Sequence, residues 1–378
     1  MLEDTIKNPS AREQLRKARI VVIKIGSAVL APGGALSAET VNRLAKDINE
    51  AMQSLRGRRI IIVTSGAVAS GFRALGLTRA PKAIVQKQAA AAVGQQRLMG
   101  AWALGFASVG LTVAQVLLTG EDIADRTRSQ NARRTLEELL FRGVIPIINE
   151  NDSVSYSEIK LGDNDRLSAL VASLVQADAL LALSTVEGVY ASGTGRVIEE
   201  FESVAKARPH VTTDVSEVGT GGMVTKLAAA QIAGDAGVVF LIAGGGQMSI
   251  VSRALAGELV GTVFCSPISG RSSRQRWLGY SAKARGRIEV DAGAAAAIEA
   301  RGSSLLPRGI VRIEGVFDKG AAVDIACATV IIARGIAAYN SEELGRIAGH
   351  TSAEIHKILG YVYSAEAVHR NDLVLMRG

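Results

Sequence analysis

The sequence has little of what single-residue chemistry usually relies on. Among its 378 residues are two cysteines, Cys265 and Cys327, and four histidines. The cysteines stand far apart and in no metal-ligand spacing. That excludes a disulfide framework and a cysteine zinc site, and it suits a reducing compartment. The histidines are His210, His350, His356 and His369, and none falls in the motifs described below. A serine-type hydrolase, or a kinase acting on a hydroxyl, would want such a base nearby. Aromatic residues make up only 4% of the chain, so a stacking platform for nucleic acid is not expected to dominate. A clean membrane span is also lacking. Residues 98–120 carry no charge and have the length of one, but Gly100, Gly105 and Gly110 interrupt them and Gln115 sits inside. The stretch reads as a buried helix, a turn at Ser108-Val109-Gly110 and a core strand over 111–118. The first ten residues are polar and show no secretory signal, so a cytoplasmic location away from the membrane is expected.

What is present reads as globular. The chain is 48% hydrophobic and 21% charged, and long enough for two or three domains. Its net charge of +7 is spread along the sequence. One basic cluster stands out: Arg271, Arg274, Arg276, Lys283, Arg285 and Arg287, with no acid between them. It reads as a solvated linker before it reads as an anion or RNA contact.

Up to about residue 265, apolar strand signals alternate with helical ones. Strands are predicted over 20–25, 59–64, 113–118, 144–148, 179–183 and 238–243. Helices are predicted from a cap at Ser37 to about residue 55, and near 82–106, 127–141, 165–176 and 223–236. Strands this apolar are buried on both faces. The alternation predicts an α/β fold, a three-layer α/β/α sandwich around a mainly parallel sheet. Beyond the basic cluster, short strand signals over 288–290, 311–313, 323–325 and 330–332 predict a small β-rich domain. The expected division is 1–270, a linker over 271–284, the small domain over 285–365, and a tail over 366–378.

Ligands of open α/β sheets bind beyond the carboxyl ends of the strands, and polar residues gather there. Lys24 sits in an otherwise apolar strand and Gly26 follows it; a charge buried there costs several kcal/mol unless paired. Ser65-Gly66-Ala67 follows the second strand, and Asn149-Glu150-Asn151-Asp152 follows the fourth. Gly162-Asp163-Asn164-Asp165 opens a helix, and Ser184-Thr185 follows the fifth strand. The run Gly219-Thr220-Gly221-Gly222-Met223-Val224-Thr225-Lys226 opens another helix. Its glycines would let backbone N–H groups face an anion at a helix N-terminus, with Lys226 in reach of a bound phosphate. Each piece alone could be a turn or a helix cap.

Together, VVIKIGS, VTSGAVASG, IPIINENDSV, EIKLGDNDRLSAL and GTGGMVTKLAAA resemble, in order and spacing, the glutamate 5-kinase family. The segment GRIEVDAGAAAAIEARGSSLLPRGI, with YNSEELGRIAGH and ILGY after it, resembles the PUA domain many of those enzymes carry. The resemblance runs from about residue 18 to the end and implies the amino-acid kinase fold over 1–270. It implies transfer of the γ-phosphoryl of ATP to the γ-carboxylate of L-glutamate, the first step of proline biosynthesis. A carboxylate is already ionised at neutral pH and needs no general base. The work is charge neutralisation and in-line positioning, for which Lys24 and Lys226 are the candidates.

By the resemblance, Asp165 orients the lysines, and Ser65, Asp152 and Asn164 bind glutamate. Ser184, Thr185 and residues 219–226 bind the nucleotide, and the backbone N–H groups of Gly26, Gly221 and Gly222 face its phosphates. Mg2+ is implied on the ATP phosphates. The family often has Thr-Asp where this chain has Ser184-Thr185, so contacts to ribose or adenine there are in question. Also implied are feedback inhibition by L-proline, a homo-oligomer (dimer or tetramer) and association with glutamate-5-semialdehyde dehydrogenase. RNA binding by the PUA-like domain is not expected. Rival readings are a kinase of the same fold acting on N-acetylglutamate or aspartate, and an RNA-binding protein built around the C-terminal domain.

Overall fold

The computed structural model describes residues 10–154, 163–211, 222–265, 278 and 282–376. The chain divides near residue 269 into two compact units.

The larger unit is built on an eight-stranded sheet. Its strands are β1 (Ile20–Ile25), β2 (Arg59–Thr64), β3 (Val113–Leu118), β4 (Ile145–Glu150), β5 (Ala179–Ser184), β6 (Glu200–Phe201), β7 (Val239–Gly244) and β8 (Thr262–Phe264). Their order is β3-β4-β2-β1-β5-β7-β8-β6. From β3 to β7 every neighbouring pair is parallel; β8 then runs antiparallel to β7, and β6 runs parallel to β8. The mainly parallel sheet of the sequence reading is present. Its two shortest strands, β6 and β8, went unpredicted because two or three residues carry no periodicity.

Strand side chains alternate between faces. Val21, Ile23 and Ile25 of β1 join Ile60, Ile62, Leu181 and Leu183 in one core. Leu15, Leu44, Ile48, Trp102 and Phe106 complete it from helices Ala11–Lys17, Ala38–Gln53 and Ile84–Ala107. Ser37 caps the second of these by accepting from the Thr40 N–H. The other face carries Val22, Lys24, Ile61, Val63, Leu180 and Ala182, all buried. Helix Asp163–Leu174 packs against β1, β2, β4 and β5, and helix Met223–Asp235 against β7 and Asp163–Leu174. Period-two alternation therefore puts Lys24, and no other residue of β1, in position to bring a charge to that side.

A close backbone crossing holds the turn after β2. Gly66 has φ 106°, a left-handed conformation that suits glycine, and it starts helix Ala67–Gly71. That helix meets Ile84–Ala107 without side chains between them. A Cβ on Gly94 would lie 1.8 Å from Ala67 O, and one on Gly71 would lie 1.9 Å from Ala90 O. Trp102 of the long helix donates its indole N–H to Thr64 Oγ1, at the end of β2.

The smaller unit has five strands: β9 (Gly286–Val290), β10 (Ile310–Glu314), β11 (Ala322–Cys327), β12 (Val330–Ile336) and β13 (Leu373–Leu375). Their order is β10-β9-β11-β12-β13, with β9 and β11 parallel and the other pairs antiparallel. Helix Ala292–Arg301 is capped by Asp291, and Ser341–Ile347 by a capping box between Asn340 and Glu343. The expected tail is corrected here. Ala367 and Val368 are fully buried and Leu373–Leu375 pairs with β12, so the chain stays in this unit's sheet to residue 375. Three apolar residues after a polar run were too short to read as a strand. Of the expected linker, Arg271, Arg274 and Arg276 lie outside the described residues.

Adding one methyl tests the crossing. Gly94→Ala is expected to lower stability in chemical denaturation by about 1–3 kcal/mol or more, because the new carbon meets backbone. Gly100→Ala, on the same helix with open space around it, should be neutral or stabilising by roughly 0.5–1 kcal/mol. Equal effects from the two would contradict the crossing.

Candidate functional site

Three charges converge on the buried face of the sheet near the carboxyl ends of its central strands. Lys24 Nζ of β1 lies 2.6 Å from Asp165 Oδ1, and Lys226 Nζ lies 3.3 Å from Asp165 Oδ2. Thr225 Oγ1 donates to the same Oδ2 at 2.6 Å. All three charged residues are buried, Asp165 to 1% exposure. Burial, the largest influence on Asp165, raises its pKa. The charges of Lys24 and Lys226, with hydrogen bonds from Lys24 and Thr225, outweigh it, and the carboxyl ends below its ordinary 3.8. Burial holds the Lys226 amine below its ordinary 10.5; Asp165 opposes that shift and Lys24 adds to it. With both amines protonated the trio sums to +1.

The neighbour of Asp165 joins a different cluster. Asn164 Nδ2 donates to Ser65 Oγ at 3.0 Å and to Asn149 Oδ1 at 3.1 Å. Asn149 Nδ2 donates to Gln95 Oε1 at 2.9 Å, and Gln95 Nε2 donates to Gln115 Oε1 at 3.3 Å. Successive helical residues point about 100° apart, so the first turn of Asp163–Leu174 serves both groups. The chain of amides sets their polarity. Ser65 Oγ accepts from Asn164, which leaves its hydroxyl proton for another acceptor. Asn164 Oδ1 is buried with no hydrogen-bond partner among the described residues, an acceptor awaiting a donor. Asp152 follows β4 in a turn and is half-buried.

The predicted nucleotide residues are placed in part. Gly219, Thr220 and Gly221 lie outside the described residues. Gly222 is the extended N-cap of helix Met223–Asp235, followed by half-buried Met223 and exposed Val224. One expectation fails: the Gly26 N–H donates to Leu183 O at 3.1 Å and so is not offered to a phosphate. The β1–β5 ladder runs one residue past the strand end. A Cβ on Gly26 would lie 3.8 Å from Lys24 Nζ, an ordinary contact distance.

Ser184 closes β5 and accepts the Gly245 N–H; Thr185 is exposed. Close by is an acid the sequence reading did not single out. Glu187 Oε1 accepts from Gln247 Nε2 at 3.1 Å, across the exits of β5 and β7. Arg43 donates to the carbonyls of Gly245 and Gln247 and holds that turn. Gln95 was missed as well, because nothing in the sequence separates it from the helix's other glutamines, Gln86, Gln88 and Gln96.

A mainly parallel sheet carrying two buried lysines on one shared carboxylate, one of them four residues after a glycine N-cap, defines an α/β protein with a buried charge cluster near the carboxyl ends of its strands. The family is settled by comparison. Residues 19–243 match the model of the amino acid kinase family and residues 286–359 that of the PUA domain. The chain belongs to the amino acid kinase family. It is 46% identical over 371 residues to a protein of Geobacter sulfurreducens named glutamate 5-kinase, covering 96% of this chain and 99% of that one. A Myxococcus xanthus protein of the same name is 46% identical over 375 residues, covering 97% of this chain and 99% of that one. A Trichlorobacter lovleyi namesake is 45% identical over 373 residues, with 97% and 99% covered.

Removing the shared carboxylate tests the trio. Asp165→Asn leaves two buried ammonium groups without a counter-charge and is expected to cost about 3–5 kcal/mol of stability, read by chemical denaturation at neutral pH. The sign with pH follows from the lowered carboxyl. Its contribution is complete above the ordinary value of 3.8 and is lost as pH falls through the lower folded value. The gap between wild type and variant should therefore close in acid; a gap constant down to pH 2 would contradict the assignment.

Proposed function

We propose that the protein phosphorylates the γ-carboxylate of L-glutamate with ATP, forming L-glutamyl 5-phosphate and ADP. The observation that carries this is the buried Lys24–Asp165–Lys226 trio, in which two lysines meet one carboxylate, beside a cluster that offers one hydroxyl donor and one amide acceptor. An amino acid needs both. Its α-carboxylate would accept from Ser65, and its α-ammonium would donate to Asn164 Oδ1 and pair with Asp152.

Two anions must meet in this reaction, and the lysines lower that repulsion. Lys24, in a central strand, neutralises charge on the phosphates. Lys226 tracks the transferring phosphoryl group, where negative charge shifts during the reaction. Asp165 pairs with both lysines and holds them aimed. The nucleotide lies against Ser184, Thr185 and the loop 219–226. A divalent cation carried on ATP would neutralise its β and γ oxygens. Asp165, already bonded to both lysines, is not spare for it.

The names of the relatives support glutamate over its N-acetyl derivative. So does the site, since an acetylated nitrogen cannot pair with Asp152. The same reading takes in a step of proline biosynthesis in the cytoplasm, inhibition by L-proline, a homo-oligomer, and hand-over of the labile acyl phosphate to glutamate-5-semialdehyde dehydrogenase. The PUA domain has a structural or regulatory part in it, without RNA.

The test is ADP release with Mg-ATP and each of L-glutamate, N-acetyl-L-glutamate and L-aspartate, with and without L-proline. Release with glutamate alone, lowered by proline, is expected. Release with another acid would move the substrate assignment, and none with any would end the kinase reading. Lys226→Ala should lower kcat by about 3 kcal/mol of transition-state stabilisation with little change in the KM for glutamate. Near-wild-type turnover would remove Lys226 from the mechanism.

A further inference from the structure

The hydroxyl of Thr225 has one proton and two acceptors in reach: Asp165 Oδ2 at 2.6 Å and Gly222 O at 2.8 Å. Asp165 Oδ2 in turn has two donors, that hydroxyl and Lys226 Nζ at 3.3 Å. The other carboxylate oxygen has Lys24 at 2.6 Å. The two lysines are therefore not equivalent. Lys24 meets its oxygen at close range, whereas Lys226 shares its own with a hydroxyl that lies nearer.

We propose that Thr225 is a positioning residue whose hydroxyl occupies Asp165 Oδ2, so that Lys226 rather than Lys24 turns from the carboxylate to the phosphoryl group. The proposal rests on the two-lysine phosphoryl-transfer reading above. Lys24 is unsuited to such movement, because β1 pairs with β2 and β5 on both sides. Lys226 sits in the first turn of a helix and adjoins the rotor. When its ammonium turns to the phosphoryl oxygens, the Thr225 proton stays on Oδ2 while the Lys24 ammonium remains paired at Oδ1. When the hydroxyl swings to Gly222 O, a common bond from a threonine to the carbonyl three residues back, Oδ2 is left to Lys226. No proton is transferred in either direction.

Thr225→Val keeps the shape and removes the hydroxyl, and Thr225→Ser keeps the hydroxyl. With Mg-ATP and glutamate, the valine variant is expected to lose about 10- to 100-fold in kcat, the scale of one hydrogen bond to a charged group. Its KM for glutamate should stay within about twofold, and the serine variant should return to within about threefold of wild type. A second readout needs no acceptor. Brief acylation of the full-length chain, with mass spectrometry of the peptides bearing Lys226 and Lys24, should show a lower Lys226-to-Lys24 labelling ratio in Thr225→Val. The ratio should recover in Thr225→Ser. If wild type were idle with glutamate the acceptor assignment would fall, and the labelling ratio would still decide the role of Thr225. Valine with wild-type turnover and an unchanged ratio would overturn the proposal, as would serine as impaired as valine.

Discussion

Everything at the site depends on one carboxylate being worth burying. An isolated ion loses several kcal/mol or more on leaving water, and so does each lysine that joins it. Asp165 tolerates burial because two ammonium groups and a hydroxyl surround it, and the lysines tolerate it because they share Asp165. The trio lies near the carboxyl edge of the sheet, so the same contacts that make its burial tolerable also fix where its two lysines stand.

The sheet and one helix end bring these groups together. Lys24 reaches the site because period two places it opposite Ile23 and Ile25, on the side where the Asp163–Leu174 helix lies. The first turn of that helix then divides the work. Asp165 turns to the lysines, and Asn164 turns to Ser65 and Asn149. Any shift of this turn moves the charge site and the amide site together. The two polar clusters are therefore positioned by a common element, as the proposed in-line transfer would need. The glycine crossing behind Ser65 serves the same end from β2.

Much of this was legible in the sequence, for physical reasons that also mark where legibility stops. Long apolar runs marked the six parallel strands to within two residues at their ends, because a strand buried on both faces tolerates little else. A lone lysine in such a run had to be paired, and it is. β6, β8 and β13 are too short for any period, and two of them lie at sheet edges where burial is partial. The amide relay through Gln95 depends on a contact between distant segments, which spacing cannot show. The Gly26 N–H was misassigned because a glycine after a strand looks available, while the ladder to Leu183 runs one residue further. Glu187 became visible only when the exits of β5 and β7 were side by side.

The two lysines come from different kinds of element, and this bears on what each can do. A central strand paired on both sides has little freedom to move its side-chain root. A residue in the first turn of a helix lies next to backbone whose N–H groups lack intrahelical partners. Fixed charge suits the phosphates that stay with the nucleotide, since their position changes little along the reaction. Adjustable charge suits the phosphoryl group that moves. A site with both lysines on strands would bind nucleotide as well but follow the transfer less closely. One with both on helix ends would pay for its mobility in aim. Sharing Asp165 couples the two lysines, so on the proposed reading Lys226 would move from a defined starting point.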